Sequence, residues 1–192
     1  MKAARRRFVV GACVAAFAPA AFGGEDLWQQ LRRGGLTLLI RHASTLPGLG
    51  DPPGFRVDDC TTQRNLSPQG REEATRLGER IKRERVPIAR VYTSPWCRCR
   101  DTAMLAFGKA DDWEPLSSFF DYPDREPDYT ERVKKRIADL SRREKRGNVV
   151  MVTHNVNVAA LTRLSVAPAE MAVVRAEGCC GIRTLGRLLV KD

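Results

Sequence analysis

"TLLIRHAST", residues 37–45, decides how this chain is read. Leu38, Leu39 and Ile40 form a short run of apolar residues that stops at Arg41 and His42. A continuous apolar run of this length, closed by polar residues, suits a strand buried on both faces. Such a strand sets a guanidinium and an imidazole side by side at its carboxyl tip. "NVVMVTHNVN", residues 148–157, repeats the design, with Val149 to Val152 running into Thr153 and His154. These are the only two histidines in 192 residues.

Helical patterns separate the strands. In "NLSPQGREEATRLGERIKRERV" Ser67 is a good N-cap and Pro68 fits the first helical position, with Ala74, Leu77 and Ile81 at helical spacing. "ARVYTS" reads as a short strand. "WCRCRDTAMLAFG" reads as a helix starting near Pro95 and ending at Gly108, and "EPDYTERVKKRIADLSRREKRG" as another, with Val133, Ile137 and Leu140 inward. "NVAALTRL" is a short helix, and "EMAVVRA" and "GIRTLGRLLV" are two final strands. The alternation implies an α/β domain, a mostly parallel central sheet with helices on both faces. Ligands of such sheets bind beyond the carboxyl ends of the strands. Both histidines are expected at that rim, bordered by the long Gly/Pro-rich segment "LPGLGDPPGFRVDDCTTQRN", a mouth-lining loop or lid.

The residue types at the rim suit an anion. Arg41 offers a fixed fork of donors that a lysine cannot reproduce. Arg98, in "TSPWCRCRDTA", is expected about one turn into its helix, near backbone N–H groups that also favour negative charge.

The ends of the chain bear on compartment. Residues 1–23 have a basic start, an apolar stretch from Phe8 to about Ala18 and small residues around Ala18-Pro19-Ala20, the pattern of a secretory signal peptide. The expected organisation is a signal peptide over 1–23, a single domain over 24–192, and a periplasmic or secreted location. "RRRFVV" also resembles a twin-arginine export signal. Once residues 1–23 are removed, 29 basic residues face 23 acidic ones, a balance of +6. That charge suits anionic ligands, from phosphate esters to nucleic acid, without choosing among them. About 169 residues remain, enough for one sizeable core.

Cys60, Cys97, Cys99, Cys179 and Cys180 are the cysteines after residue 23. In an exported chain they read first as disulfide partners, and their spacing is not that of a zinc site. The favoured pairing is Cys60 with Cys99 or Cys97, which closes a loop of roughly 40 residues and pins the mouth segment beside Arg98.

Taken together, "RHAST", "NLSPQGREEA", "SPWCRCRDTA" and "VTHNVN" resemble the histidine phosphatase superfamily, with its phosphoglycerate mutase-like fold. The resemblance covers nearly all of the chain after residue 23. It implies that His42 is a nucleophile forming a phosphohistidine, and that Arg41, Arg98 and His154 complete a pocket for the phosphoryl oxygens. Ala43 departs from it by standing where the family usually has glycine. Alanine is acceptable there only if the backbone does not need a positive φ.

The implied chemistry is physically coherent. A neutral imidazole is a competent nucleophile near pH 7, and two arginines with a second imidazole stabilise charge spread over phosphoryl oxygens. No metal or cofactor is expected. The proton donor to the leaving group is the least marked part. The position the resemblance assigns to a glutamate holds Ser117 or Ser118, leaving Asp121, Asp124 and Glu126 nearby. Asp121 is preferred because the adjacent Phe119-Phe120 pair would partly bury it and raise its pKa.

The leading expectation is an exported phosphatase, hydrolysing a small-molecule or cell-envelope phosphate monoester through a phosphohistidine. A protein phosphohistidine phosphatase is the second, since imidazole leaves without strong acid assistance; export away from cytosolic phosphorelays weighs against it. A catalytically silent, anion-binding envelope protein is the third. Nucleic acid is not an expected partner, no membrane span is expected to remain after signal removal, and the oligomeric state is left open.

Overall fold

A computed structural model describes residues 24–190; the signal peptide assigned to 1–23 lies outside the described residues. Six strands form one mixed, mostly parallel sheet in the order β3-β2-β4-β1-β5-β6. They are β1 (Thr37–Arg41), β2 (Ile88–Thr93), β3 (Asp111–Asp112), β4 (Asn148–Thr153), β5 (Met171–Glu177) and β6 (Gly181–Leu188). The helices are α1 (Gly24–Arg33), α2 (Pro68–Arg83), α3 (Cys97–Phe107), α4 (Glu126–Arg143) and α5 (Asn155–Thr162).

From β3 to β1 the pairing is parallel, as the alternation of strands and helices requires. The last two strands depart from that pattern. Only Gly178, Cys179 and Cys180 join β5 to β6, too few for a crossover, so the pair is an antiparallel hairpin and β5 also runs antiparallel to β1.

Strand periodicity explains the layers. Leu38, Ile40, Val150, Val152 and Val173 point to one face, where they meet Leu27 and Leu31 of α1, Leu77 and Ile81 of α2, and Cys99 and Ala103 of α3. Leu39, Val149, Met151, Ala172 and Val174 point to the other, against Val133, Ile137 and Leu140 of α4 and Val158 of α5. β1 and β4 are buried on both faces, which accounts for their unbroken apolar runs. Helix α1 is an addition to the expected elements. Its signal was Leu27, Trp28 and Leu31, close to the apolar stretch that ends near Ala18.

Local chemistry sets the helix starts and stops that matter to the rim. Ser67 caps α2 by accepting from Gly70 N at 3.0 Å, with Pro68 in the first turn. A Cβ on Gly70 would lie 1.8 Å from Ser44 O, so glycine lets α2 press against the segment that follows His42. Helix α3 stops at Gly108, whose φ of 72° is the left-handed conformation glycine adopts without strain.

The disulfide joins Cys60 to Cys97, 37 residues apart. The pairing with Cys99 is not formed. Two residues along a helix are about 200° apart around its axis, so while Cys97 meets the mouth segment, Cys99 turns into the core against the sheet. Non-reducing peptide mapping of oxidised protein is expected to recover Cys60 linked to Cys97, and Cys99 as a free thiol. Cys60→Ser should cost at most about 4 kcal/mol of stability, the chain-entropy value for a loop of this length. Recovery of a Cys60–Cys99 peptide would contradict the assignment.

Candidate active site

The register of β1 on β4 builds the site. Arg41 pairs with Thr153, and His42 N continues the ladder by donating to Thr153 O at 2.9 Å. His42 and His154 are therefore neighbours just past the strand tips, their rings edge to face with centroids 5.3 Å apart. Both are buried.

His42 is held in one tautomer. Its Nδ1 lies 2.8 Å from Ala43 O, and because a carbonyl oxygen can only accept, Nδ1 carries the proton. Nε2 of the neutral ring is left with its lone pair. Around it the backbone is tied down: Ala43 N donates to Thr102 Oγ1 at 3.0 Å, and that hydroxyl donates to Arg98 O at 2.7 Å. Ser44 gives both its N–H and its hydroxyl to Glu73 on α2, each at 2.9 Å. Ala43 is not among the residues with positive φ, so the glycine usual in the resembled family is not needed here.

His154 precedes the first residue of α5. Its Nε2 is 3.0 Å from Ser94 Oγ and 3.5 Å from Cys99 Sγ. Burial, then the positive charges around it, push His42 down to about 3, against the pull of the Ala43 carbonyl. Burial likewise holds His154 well below the usual histidine range, with His42 and Arg98 adding to the effect. Both imidazoles are neutral at pH 7. Burial raises the Cys99 thiol to about 12, so it stays protonated beside His154.

Three arginines face this pair. Arg41 donates through Nη1 to Val166 O at 2.8 Å, and Arg64 through Nη1 to Gly48 O at 2.6 Å. Arg98, buried near the start of α3, donates through Nη1 to both oxygens of Asp51 at 2.8 and 3.0 Å. The Nε atoms of Arg41, Arg64 and Arg98 are all buried without a hydrogen-bond partner. Burial followed by mutual repulsion lowers the pKa of Arg41 and Arg64, although a guanidinium keeps its charge through such a shift. The result is a crowded positive site with donors to spare.

Asp51 ties Arg98 to the mouth segment. Beyond Arg98, it accepts from Trp96 Nε1 at 3.1 Å and from Arg64 N at 2.9 Å. Burial alone would raise its pKa, but these hydrogen bonds and the Arg98 charge keep the carboxyl below its usual range. It is an ionised positioning group.

Arg41, His42, Arg98 and His154 thus come together, lining one cavity of about 110 Å³. Two expectations change. Arg98 is the second residue of α3, not a turn inside it, and the N–H of Cys97 is already taken by Gln63 Oε1 at 3.0 Å, so α3 offers the anion less backbone than expected. Asp121 does line the mouth, but the burial expected for it is missing: Phe119 turns into the interior while Phe120 and Asp121 stand exposed. Asp124 and Glu126 are exposed and do not line the cavity. Sequence reasoning passed over Asp51 and Arg64. Both lie in the segment read as mouth-lining, yet in sequence they resemble any other charged loop residues.

The model of the histidine phosphatase superfamily (branch 1) matches residues 37–119, which carry β1, α2 and α3 with Arg41, His42, Arg64 and Arg98. The stretch from β1 through α3 thus matches the histidine phosphatase superfamily (branch 1). Solved structures share the fold of this chain. The protein histidine phosphatase SixA, complexed with tungstate, is 15% identical with a TM-score of 0.59, covering 80% of this chain and 96% of its own. A phosphoserine phosphatase mutant from Entamoeba histolytica, in complex with phosphoserine, is 14% identical with a TM-score of 0.54, over 79% and 95% of the two chains. TTHB049 from Thermus thermophilus is 21% identical with a TM-score of 0.53, over 81% and 99%. A comparison with curated protein sequences gives no match.

The neutral histidines tie stability to pH. Their folded pKa values lie below the unfolded value near 6.5, so as pH falls through 6.5 the unfolded chain takes up protons that the folded one refuses. Stability is complete above that value and declines toward pH 3, with His42 alone contributing about 1.4 kcal/mol per pH unit. Asp51, depressed below its own unfolded value, adds its loss only below about pH 4. In phosphate-free buffer the Tm is expected to drop measurably between pH 7.5 and 5.0. A flat Tm across that interval would show that the histidines are not held neutral.

Proposed function

We propose that the protein is a phosphatase that hydrolyses a phosphate monoester through a phosphohistidine on His42, outside the cytoplasm. The observation that carries this is the gathering of Arg41, Arg64 and Arg98 around one cavity with a neutral imidazole whose tautomer leaves Nε2 free to attack. Guanidinium groups lining a cavity suit an oxyanion, which they hold by charge-assisted hydrogen bonds. The related folds in which tungstate and phosphoserine are bound support the same class of ligand.

In this reading the His42 Nε2 lone pair attacks phosphorus and the bond to the ester oxygen breaks. The departing oxygen takes a proton, and water then attacks phosphorus, breaking the P–N bond and releasing phosphate. Arg41, Arg64 and Arg98 stabilise the charge on the equatorial oxygens throughout, in positions set before the reaction begins. Of the two carboxylates lining the cavity, Asp51 is committed to Arg98, so Asp121 is assigned as the proton donor. It has no ion-pair partner among the described residues. The exposure of Asp121 is also the observation that favours the second reading, a phosphohistidine substrate, because an imidazole leaving group needs less acid assistance. The Cys60–Cys97 disulfide suits an oxidising compartment and supports export. Export weighs against the second reading.

His42→Ala is expected to abolish hydrolysis of an activated aryl phosphate while circular dichroism and Tm report a folded protein. Undiminished turnover in the folded variant would refute the mechanism. Activity should also survive exhaustive chelation, since arginines supply the positive charge. A strict requirement for added divalent metal would recast His42 and His154 as ligands.

A further inference from the structure

The cavity has two unlike ends, and the second one bears on the alcohol half of the ester. Arg41, His42, Arg64, Arg98 and His154 occupy the phosphoryl end. Toward the mouth the lining passes to Leu49, Phe120 and Val156. Leu49 is 87% exposed and Phe120 is 52% exposed, whereas the neighbouring Phe119 is only 7% exposed. A chain that buries one phenylalanine and turns the next outward places apolar surface at the rim of the site.

That surface is concentrated. Six large hydrophobic residues among those described are exposed, and two of them, Leu49 and Phe120, line this one cavity from segments far apart in the chain. Scattered apolar residues need no explanation, but a cluster at the lip of a concave site marks a binding surface.

Apart from Asp121, assigned above to the leaving-group proton, the polar side chains at the mouth are largely engaged. Asn155 Nδ2 donates to Ser165 Oγ at 3.2 Å and its Oδ1 accepts from Val166 N at 2.9 Å. Ser118 Oγ accepts from Phe120 N at 3.2 Å. Both Asp51 oxygens are taken by Arg98, and Trp96 Nε1 is held by Asp51. A polyhydroxylated alcohol, such as a sugar or glycerol, would leave most of its hydroxyls without protein partners while covering exposed carbon.

On the phosphatase reading above, we propose that the alcohol half of the substrate is apolar, an alkyl or aryl group laid across Leu49 and Phe120 at the mouth. The phosphoryl end supplies binding common to all monoesters, and the mouth supplies the choice among them.

The test compares hexyl phosphate with glycerol 3-phosphate, two esters of primary alcohols whose leaving groups differ little in reactivity. A fully buried methylene is worth roughly a fourfold change in affinity; for a half-open mouth the whole chain is expected to lower KM by about tenfold relative to glycerol 3-phosphate. In a Leu49→Ser/Phe120→Ser variant the ratio of the two kcat/KM values should fall toward one. Both side chains are exposed, so folding should be retained, which Tm would verify. Equal turnover of both esters by the unaltered protein, or a preference for glycerol 3-phosphate, would overturn this inference and leave the phosphatase reading standing. Absence of turnover of either ester, together with any activated aryl phosphate, would overturn the phosphatase reading and this inference with it.

Discussion

The parallel ladder between β1 and β4 is the constraint on which the site depends. With Arg41 opposite Thr153 and His42 N bonded to Thr153 O, the two imidazoles have nowhere to sit except beside each other at one rim of the sheet. Slipping the pairing by one residue would exchange the faces of every side chain on β1 and send Leu38 and Ile40 away from the layer they fill. Packing on both faces thus specifies the register, and the register specifies the distance between the two histidines. Core and site are one arrangement seen at different ends of the same strands.

Charge is the second organising force. Three guanidinium groups close to one another repel, and the fold tolerates them by committing one edge of each to a fixed acceptor: Val166 O, Gly48 O and the Asp51 carboxylate. The Nε atom of each is buried without a hydrogen-bond partner. Asp51 is central here, because it binds Arg98, the Trp96 indole and the Arg64 backbone at once, joining the mouth segment to the start of α3. The Cys60–Cys97 bond fastens the far end of the same segment to the same helix. A long Gly/Pro-rich connection, which would otherwise be mobile, is so held against the site at both ends.

Much of this was legible from the residues in order. The apolar runs ending in Arg41-His42 and Thr153-His154, the Ser67-Pro68 start of α2 and the Gly108 stop of α3 each have a local cause, so each was readable locally. Arg98 was placed near the start of its helix by the same local reading, and the resemblance to a known family then set it apart from the many other arginines of the chain. What local patterns missed lies in residues whose role depends on distant partners. Asp51 meets Arg98 across 47 positions of sequence. Cys97 and Cys99 differ only in which side of a helix they occupy, and the hairpin of β5 and β6 reverses direction because its turn is short.

By itself, then, the sequence determined the α/β layering, the two strand tips and the anion-loving residues placed on them, because hydrophobic periodicity and capping are short-range properties of the chain. The tertiary structure decided which cysteine closes the mouth and which carboxylate orients Arg98. It also decided that Phe119 is buried while Phe120 faces the cavity. Those outcomes turn on rotation about helix axes and on charge pairing between segments far apart in the chain. Neither leaves a periodic trace in the order of the residues.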